Sequence, residues 1–303
     1  MAAIDCGTNS TRLFVVDGSG RPLDRQMRIT RLGQGVDATG QLSAEAVNRC
    51  LSVLADFREV MDRYGVVRAR LVATSAARDA ANGEEFLIAA GEVTGAPPEL
   101  LTGTEEARLS MAGAVSDLDP AEGPFLVLDI GGGSTELVRG EGPDDADLAA
   151  VSLQIGCVRL TERYLTSDPP TADQLSEAES AVLHLLEGAL TDQPRLAEAR
   201  RLVGLAGTVT TLSALQMGLD EYDRDRVHHS VLTADNARDW YRSLAAEVRQ
   251  ARLDRAGMAA GREDIIVGGA LILSTVMTRF GFEECLVSEA DILDGMALGL
   301  LAG

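Results

Sequence analysis

Lysine is absent from the 303 residues, and all 27 basic side chains are arginine. That excludes a P-loop lysine and a Schiff-base lysine. Histidine is scarce, at three residues, and the four cysteines (Cys6, Cys50, Cys157 and Cys285) stand far apart in the chain. With no paired metal-ligand spacing, a zinc centre and a disulfide framework are both disfavoured. No uninterrupted apolar run reaches the roughly 18 residues of a membrane span. The best candidate, Ile265 to Met277, is broken by Gly268, Gly269, Ser274 and Thr275. The N-terminus enters an apolar strand almost at once, without the layout of a signal peptide, so a cytoplasmic protein with no membrane partner is expected. The net charge of −20 argues against binding a nucleic acid polymer. The charge is uneven, however. Residues 1–80 hold 11 arginines against 9 carboxylates, and the remainder 16 against 38. An anionic ligand could still be met by local arginines and a metal ion.

What is present is a repeat. Residues 4–16 read I-D-C-G-T-N-S-T-R-L-F-V-V and residues 128–140 read L-D-I-G-G-G-S-T-E-L-V-R-G. Aligned without gaps, Asp5/Asp129, Gly7/Gly131, Ser10/Ser134, Thr11/Thr135 and Leu13/Leu137 are identical. Each copy lies between apolar runs and predicts a β-hairpin with a Gly/Ser/Thr-rich turn. Such a turn suits phosphate, because glycine lets the backbone approach an anion and successive N–H groups form a nest. Hydroxyls of Thr8, Ser10, Ser134 and Thr135 add donors. The aspartate ending the first strand can hold Mg²⁺ beside the phosphates, directly or through water. An ordinary glycine hairpin explains one copy well and explains two matched copies poorly.

Elsewhere the pattern alternates between strand and helix. Helices are expected at Leu42–Tyr64 with Ser43 as N-cap, from about Ala76, at Glu105–Val115, Thr171–Glu187, Val209–Gln216, Trp240–Gln250 and Ile265–Met277, and from about Leu293. Strands are expected at Arg70–Thr74, Ser152–Gly156, Arg201–Ala206 and Glu284–Ser288. The acidic stretch Gly140–Asp147 reads as a hairpin loop, and Tyr222–Arg226 as a solvated loop. His228-His229 suggests a metal pair, yet adjacent side chains generally diverge, so a loop or interdomain feature is expected.

Ordered motifs carry a resemblance along nearly the whole chain: A-A-I-D-C-G-T-N-S (2–10), V-A-T-S-A-A-R-D-A (72–80), T-G-T-E-E-A-R-L (102–109), V-L-D-I-G-G-G-S-T-E-L-V (127–138), L-V-G-L-A-G-T-V-T-T-L (202–212), D-I-I-V-G-G-A (264–270) and V-S-E-A-D-I-L-D-G (287–295). The sequence resembles the exopolyphosphatase / guanosine pentaphosphate phosphohydrolase family in its short, two-domain form. Cys6 departs from the bulkier apolar residue usual there. The resemblance implies an α/β chain with the duplicated actin-like (ribonuclease H-like) ATPase fold, two domains and a central cleft. The first domain is expected at 1–118 plus 289–303, with the C-terminal helix returning to it, and the second at 119–288. It also implies a homodimer.

The implied activity is hydrolysis of a terminal phosphoanhydride in polyphosphate or a guanosine polyphosphate nucleotide, which needs a positioned water and neutralised phosphates. The resemblance places the catalytic glutamate at Glu106. Glu105, at capping-box spacing from Thr102, suits a structural role. Asp129 and Glu136, flanking the second turn, are expected to hold Mg²⁺ (Mn²⁺ being a possible substitute), with Asp5 in a parallel role. Phosphate contacts are expected from Thr8, Asn9, Ser10, Gly131, Gly132, Gly133 and Ser134, and from Gly207 and Thr208 at a third turn. Arg78 is expected to contact a substrate phosphate by planar, bidentate donation. Arg12, Arg28 and Arg31 are candidates to line a groove beyond the terminal anhydride. The alternatives are an ATPase or kinase of the same fold, for which no convincing catalytic aspartate is found in the first half, and a nucleotide-sensing regulator without turnover.

Overall fold

The computed structural model describes residues 1–143 and 145–302; Asp144, within the acidic 140–147 stretch, lies outside the described residues. Two compact units emerge, Met1–Gly113 with Asp291–Gly303, and Ala114–Ala290.

In the first unit a five-stranded sheet is formed by β1 (Ala2–Cys6), β2 (Ser10–Val16), β3 (Pro22–Ile29), β4 (Ala69–Ala73) and β5 (Pro98–Leu100), in the order β3-β2-β1-β4-β5. β1, β2 and β3 pair antiparallel, and β4 and β5 continue parallel to β1. Both faces are covered, which is why the central strands read as unbroken apolar runs. Strand alternation sorts the side chains. Ala2, Ile4, Cys6, Leu13, Val15, Leu71 and Ala73 enter a core with the helices Ala44–Arg63 and Gly83–Thr94. Ala3, Phe14, Val16 and Val72 enter another, with Ile292, Leu293 and Met296 of the helix Ile292–Ala302. Asp5 and Arg12 share parity with this second set.

The second unit repeats the plan. Its strands are β6 (Phe125–Ile130), β7 (Thr135–Gly140), β8 (Ala149–Leu153), β9 (Arg201–Leu205), β10 (Val231–Thr233) and β11 (Glu284–Val287), ordered β10-β11-β9-β6-β7-β8. β6, β7 and β8 form the antiparallel part, while β9 and β11 run parallel to β6. β10 adds an antiparallel edge. One large core joins this sheet to helices that include Ala172–Asp192, Ala206–Met217, Ala234–Ala245 and Ile266–Phe280.

Local signals explain most boundaries. Ser43 Oγ accepts from Ala46 N and starts the helix Ala44–Arg63. Thr171 and Gln174 complete a capping box. Two expectations are corrected. The strand sought at Ser152–Gly156 lies upstream, at Ala149–Leu153, because Thr135 and Glu136 pair with Leu153 and Ser152. The helix sought at Trp240–Gln250 starts at Ala234, where Thr233 Oγ1 caps Asn236 N, and it stops at Ala245. A separate turn, Arg249–Leu253, follows. β3 and the helix Gly83–Thr94 carried no clear periodic signal. No helix among the described residues is long and apolar enough to cross a membrane.

The helix Gly103–Ala114 meets the C-terminal helix backbone to backbone. A Cβ on Gly295 would overlap the Leu109 carbonyl, and one on Gly113 the Asp291 carbonyl. Gly295→Ala is therefore expected to lower the unfolding free energy by about 1–3 kcal/mol through overpacking. Urea titration checks this, and an unshifted midpoint would show that the helices separate freely.

Candidate active site

In the first unit the turn between β1 and β2 is held from several sides. Gly7 N donates to Ser10 O at 3.0 Å, Gly33 N to Thr8 O at 2.8 Å, and Thr30 N and Arg31 N to Asn9 O. Thr8 is buried, and its methyl packs so close to Gly33 that no Cβ fits there. Ala76 lies on the same glycine. The short helix Ser75–Asp79, which bears Arg78, thus abuts the first turn.

Arg78 points toward the start of the helix Gly103–Ala114. Its Nη1 donates to Leu101 O at 2.7 Å and lies 3.4 Å from Glu106 Oε2, while Nη2 is buried with no hydrogen-bond partner. Glu106 is 8% exposed. Glu105 has the other task. Thr102 N and Oγ1 donate to Glu105 Oε2 at 2.8 and 2.7 Å, and Glu105 N donates back to Thr102 Oγ1. The box closes on Glu105, so the helix does not need the Glu106 carboxylate as a cap.

Asp5 is almost fully buried, and Arg12, its cross-strand neighbour, covers one of its oxygens. Arg12 Nη2 and Nε reach Asp5 Oδ2 at 2.6 and 3.0 Å, and Arg12 Nη1 bonds Asp291. Burial pushes the Asp5 carboxyl above its ordinary pKa, against the pull of Arg12. Asp5 Oδ1 is buried without a hydrogen-bond partner, an acceptor left over for a ligand. Arg25 extends the network to Asp294 at 2.5 Å and stacks over Phe14. Arg12 is thus part of a buried ion network as well as a candidate groove residue.

In the second unit the same hairpin position is filled differently. Asp129 stands directly across from Glu136, and both are buried, at 7% and 1% exposure. Ser152 Oγ donates to Glu136 Oε1 at 2.7 Å. Like charges facing each other on adjacent strands are unfavourable. Hard carboxylate oxygens in that arrangement suit a divalent cation, so the donor set fits Mg²⁺.

The second turn is braced by a helix that follows in sequence. Gly131 O accepts from Cys157 N at 2.9 Å, and Gly132 O from Val158 N and Arg159 N. Because a trans peptide points its C=O and N–H in opposite directions, the amides of Gly132 and Gly133 face away from the helix Cys157–Tyr164. This is the polarity an anion nest requires. Ser134 and Thr135 are buried, and Thr135 Oγ1 donates to Ile155 O.

The third turn joins β9 to the helix Ala206–Met217. Ala206 holds a left-handed φ of 64°, unusual for a residue with a side chain. Gly207 lies against the Arg262 guanidinium. Buried Thr208 packs on Gly269.

Several neighbours escaped sequence reasoning. Gly156 must be glycine, since a Cβ would sit 2.5 Å from Gly131 O. Arg262, Asp291 and Asp294 lie in or beside the motifs at 264–270 and 287–295, but charge pattern alone does not single them out. His228 and His229 contradict the expected divergence. Their rings stack at 3.8 Å, and their Nε2 atoms lie 3.0 and 3.5 Å from Asp117 Oδ2. The left-handed φ of 61° at His229 folds one ring over the other. The three side chains could geometrically hold a metal. However, Glu289 N donates to His228 Nδ1 at 3.1 Å. A neutral His228 then keeps its proton on Nε2, facing Asp117, with no lone pair there for a metal. Tyr222–Arg226, expected as a solvated loop, includes a short helix, and Tyr222 and Arg224 both bond Glu289.

Two copies of one strand plan, each with a hydroxyl-rich glycine turn and buried carboxylates, define a duplicated actin-like (ribonuclease H-like) ATPase fold. The model of the Ppx/GppA phosphatase family matches residues 14–302. Exopolyphosphatase 2 of Mycobacterium tuberculosis is 45% identical over 316 residues, spanning 99% of this chain and 98% of its own. The guanosine-5'-triphosphate,3'-diphosphate pyrophosphatase of Photobacterium profundum is 30% identical over 306 residues, 99% of this chain and 59% of its own. The solved Ppx-GppA enzyme of Aquifex aeolicus superimposes with a TM-score of 0.79 at 32% identity, covering 100% of this chain and 98% of that one. The chain belongs to the Ppx/GppA phosphatase family.

The Thr102 hydrogen bonds hold the Glu105 carboxyl below its ordinary value of 4.5. A lowered folded pKa contributes stability that is present above the unfolded value and is lost as pH falls through the folded one. Wild-type protein is expected to lose more stability than Glu105→Gln between about pH 5 and pH 3. Urea midpoints at each pH measure the difference, and parallel curves would rule out the charged cap.

Proposed function

We propose that the chain hydrolyses the terminal phosphoanhydride of inorganic polyphosphate, of guanosine pentaphosphate, or of both. The names of the Mycobacterium tuberculosis and Photobacterium profundum relatives support this substrate class. The observation that carries the mechanism is the buried Glu106 carboxylate 3.4 Å from Arg78, on a helix whose cap is supplied by its neighbour.

In this mechanism Glu106 orients a water and accepts its proton as the water oxygen attacks the terminal phosphorus in line. The bond from phosphorus to the bridging oxygen breaks, and the shortened chain leaves. Arg78, whose buried Nη2 still has donor capacity, binds a phosphate oxygen and offsets charge that spreads over it in the transition state. Thr8, Asn9 and Ser10, and separately Gly131 to Ser134, provide backbone and hydroxyl donors for phosphate oxygens. Asn9 Nδ2 is likewise buried without a hydrogen-bond partner. Gly207 and Thr208 provide further ligand contacts at the third turn. Asp129 and Glu136 would hold Mg²⁺ in their unit, and Asp5 Oδ1, buried without a hydrogen-bond partner, would accept a hydrogen bond in its own. When bound, the ion neutralises phosphate charge.

Glu106→Gln is expected to lower phosphate release at least ~10²-fold, a common loss when general-base assistance is removed. Its circular dichroism should match wild type; undiminished turnover in this variant removes Glu106 from the mechanism. Chelation with EDTA is expected to abolish release and added Mg²⁺ to restore it, and full activity without divalent ions would reject the role of Asp129 and Glu136. Release from long-chain polyphosphate, short-chain polyphosphate and guanosine pentaphosphate at matched Mg²⁺ ranks the substrates. Equal inertness toward all three would refute the proposal.

A further inference from the structure

We propose that the outer edge of β3 is where two copies of this chain meet, antiparallel about a two-fold axis at Gln26. β3 ends the sheet of the first unit, and no strand among the described residues pairs with its far side. Met27 and Arg28 are exposed, and of the strand's apolar side chains only Leu23 packs against the two cores of the unit. The family resemblance implies a homodimer without giving it a surface. Nothing in the pairing depends on the proposed function.

The ladder between β1, β2 and β3 fixes which backbone groups of β3 are spare. In antiparallel pairing, alternate residues turn both N–H and C=O toward the same neighbour. Gly7 N bonds Ser10 O and Val16 N bonds Met1 O, so the even-numbered residues of β2 serve β1. The odd-numbered ones serve β3, and Thr30 N accordingly donates to Asn9 O. Asp24, Gln26 and Arg28 therefore direct their backbone groups to β2. Those of Arg25, Met27 and Ile29 point away from the sheet, and no backbone acceptor meets their outward amides among the described residues. The Arg28 side chain covers the Met27 carbonyl, with Nη1 at 3.0 Å.

Charge then selects the register. A second β3 pairs only where outward residues face outward residues. Centring on Arg25 sets that guanidinium against its own copy, and centring on Met27 leaves Asp24 opposite Thr30. Centring on Gln26 sets Asp24 opposite Arg28 on both sides of the axis. Opposite charges directly across a ladder are favourable and like charges are not. Asp24, Gln26 and Arg28 already form a row on one face: Gln26 Nε2 donates to Asp24 Oδ2 at 3.2 Å, and Arg28 Nη2 to Gln26 Oε1 at 3.3 Å. In the new ladder these residues fall at non-hydrogen-bonded positions, where facing side chains are closest. Arg25 and Met27 fall at the hydrogen-bonded position, each donating its N–H to the carbonyl of the other. Arg28 releases the Met27 carbonyl and turns to Asp24 of the second copy.

Edge strands are commonly protected from such pairing by proline, by bulges or by charge. In β3 the proline, Pro22, and the register shift opposite Val15/Val16 lie at one end. Residues 24–29 contain neither proline nor glycine. Their charges match a second copy in the Gln26 register and do not repel it. A six-residue edge is short for a permanent interface, so the dimer is reversible and weakens with salt.

Sedimentation velocity of the full chain over a concentration series provides the test. The expected result is a reversible rise from 32.0 kDa to twice that mass. Asp24→Arg and Arg28→Asp, checked for folding by circular dichroism, should each stay monomeric, because each sets like charges across the axis. Mixed in equal amounts the two variants should dimerise, since each supplies the charge the other lacks. Gln26→Cys should give a covalent dimer on mild oxidation, its Cα atoms lying about 4.5 Å apart across the axis and within disulfide reach. The four native cysteines are buried, and Met27→Cys, offset from its own copy, should give no such product. A wild-type chain that stays at 32.0 kDa throughout overturns the proposal. So does a dimer that persists in both charge variants, or a mixture of them that sediments as monomers.

Discussion

Across β6 and β7 two buried carboxylates, Asp129 and Glu136, face each other at one register position. The corresponding position across β1 and β2 holds Asp5 and Arg12, joined at 2.6 Å. One hairpin thus pairs a carboxylate with a guanidinium at this position, and the other sets two carboxylates across from each other. Breaking a buried ion pair by removing one partner costs about 3–5 kcal/mol, so neither arrangement is a neutral choice. The first hairpin is anchored further by Asp291, which couples the strand pair to the start of the C-terminal helix.

The remainder of each unit keeps these hairpins in place. Their turns cannot sag, because neighbouring backbone consumes their carbonyls: Gly33, Thr30 and Arg31 amides in one unit, and the first amides of the helix Cys157–Tyr164 in the other. With carbonyls directed inward, adjacent amides are directed outward by peptide planarity. An outward row of amides of this kind is a by-product of backbone hydrogen-bond accounting. Close packing supplies the second restraint. Gly33, Gly156 and Gly269 leave no room for a Cβ, so the elements there pack without slack.

Legibility in the sequence varied with the range of the interaction concerned. The paired hairpins were readable because turn chemistry and strand alternation are local, and Ser43 and Thr171 announced their helices through side-chain caps. β3 was harder, being a half-buried strand with alternating charges. The helix at Ala234 begins well before Trp240 because Thr233 caps it through Asn236 N, a signal that the apolar spacing alone does not carry. Capping-box spacing from Thr102 marked Glu105 as structural, and the Thr102 hydrogen bonds show how it is occupied; the role of Glu106 came from the resemblance. The histidine pair was misjudged, since stacking of adjacent rings depends on the left-handed backbone at His229.

By itself the sequence determined the duplicated strand–turn–strand, the order of the motifs and the absence of any lysine chemistry. These follow from residue identity and from contacts within a few positions along the chain. Only the tertiary structure decided that Arg12 is tied to Asp5 and Asp291 and that Arg78 reaches Glu106. Each of those pairs is separated by a loop, a helix or nearly the whole chain. Their meeting depends on which sheet face each side chain occupies and on what packs there, and no local pattern records that.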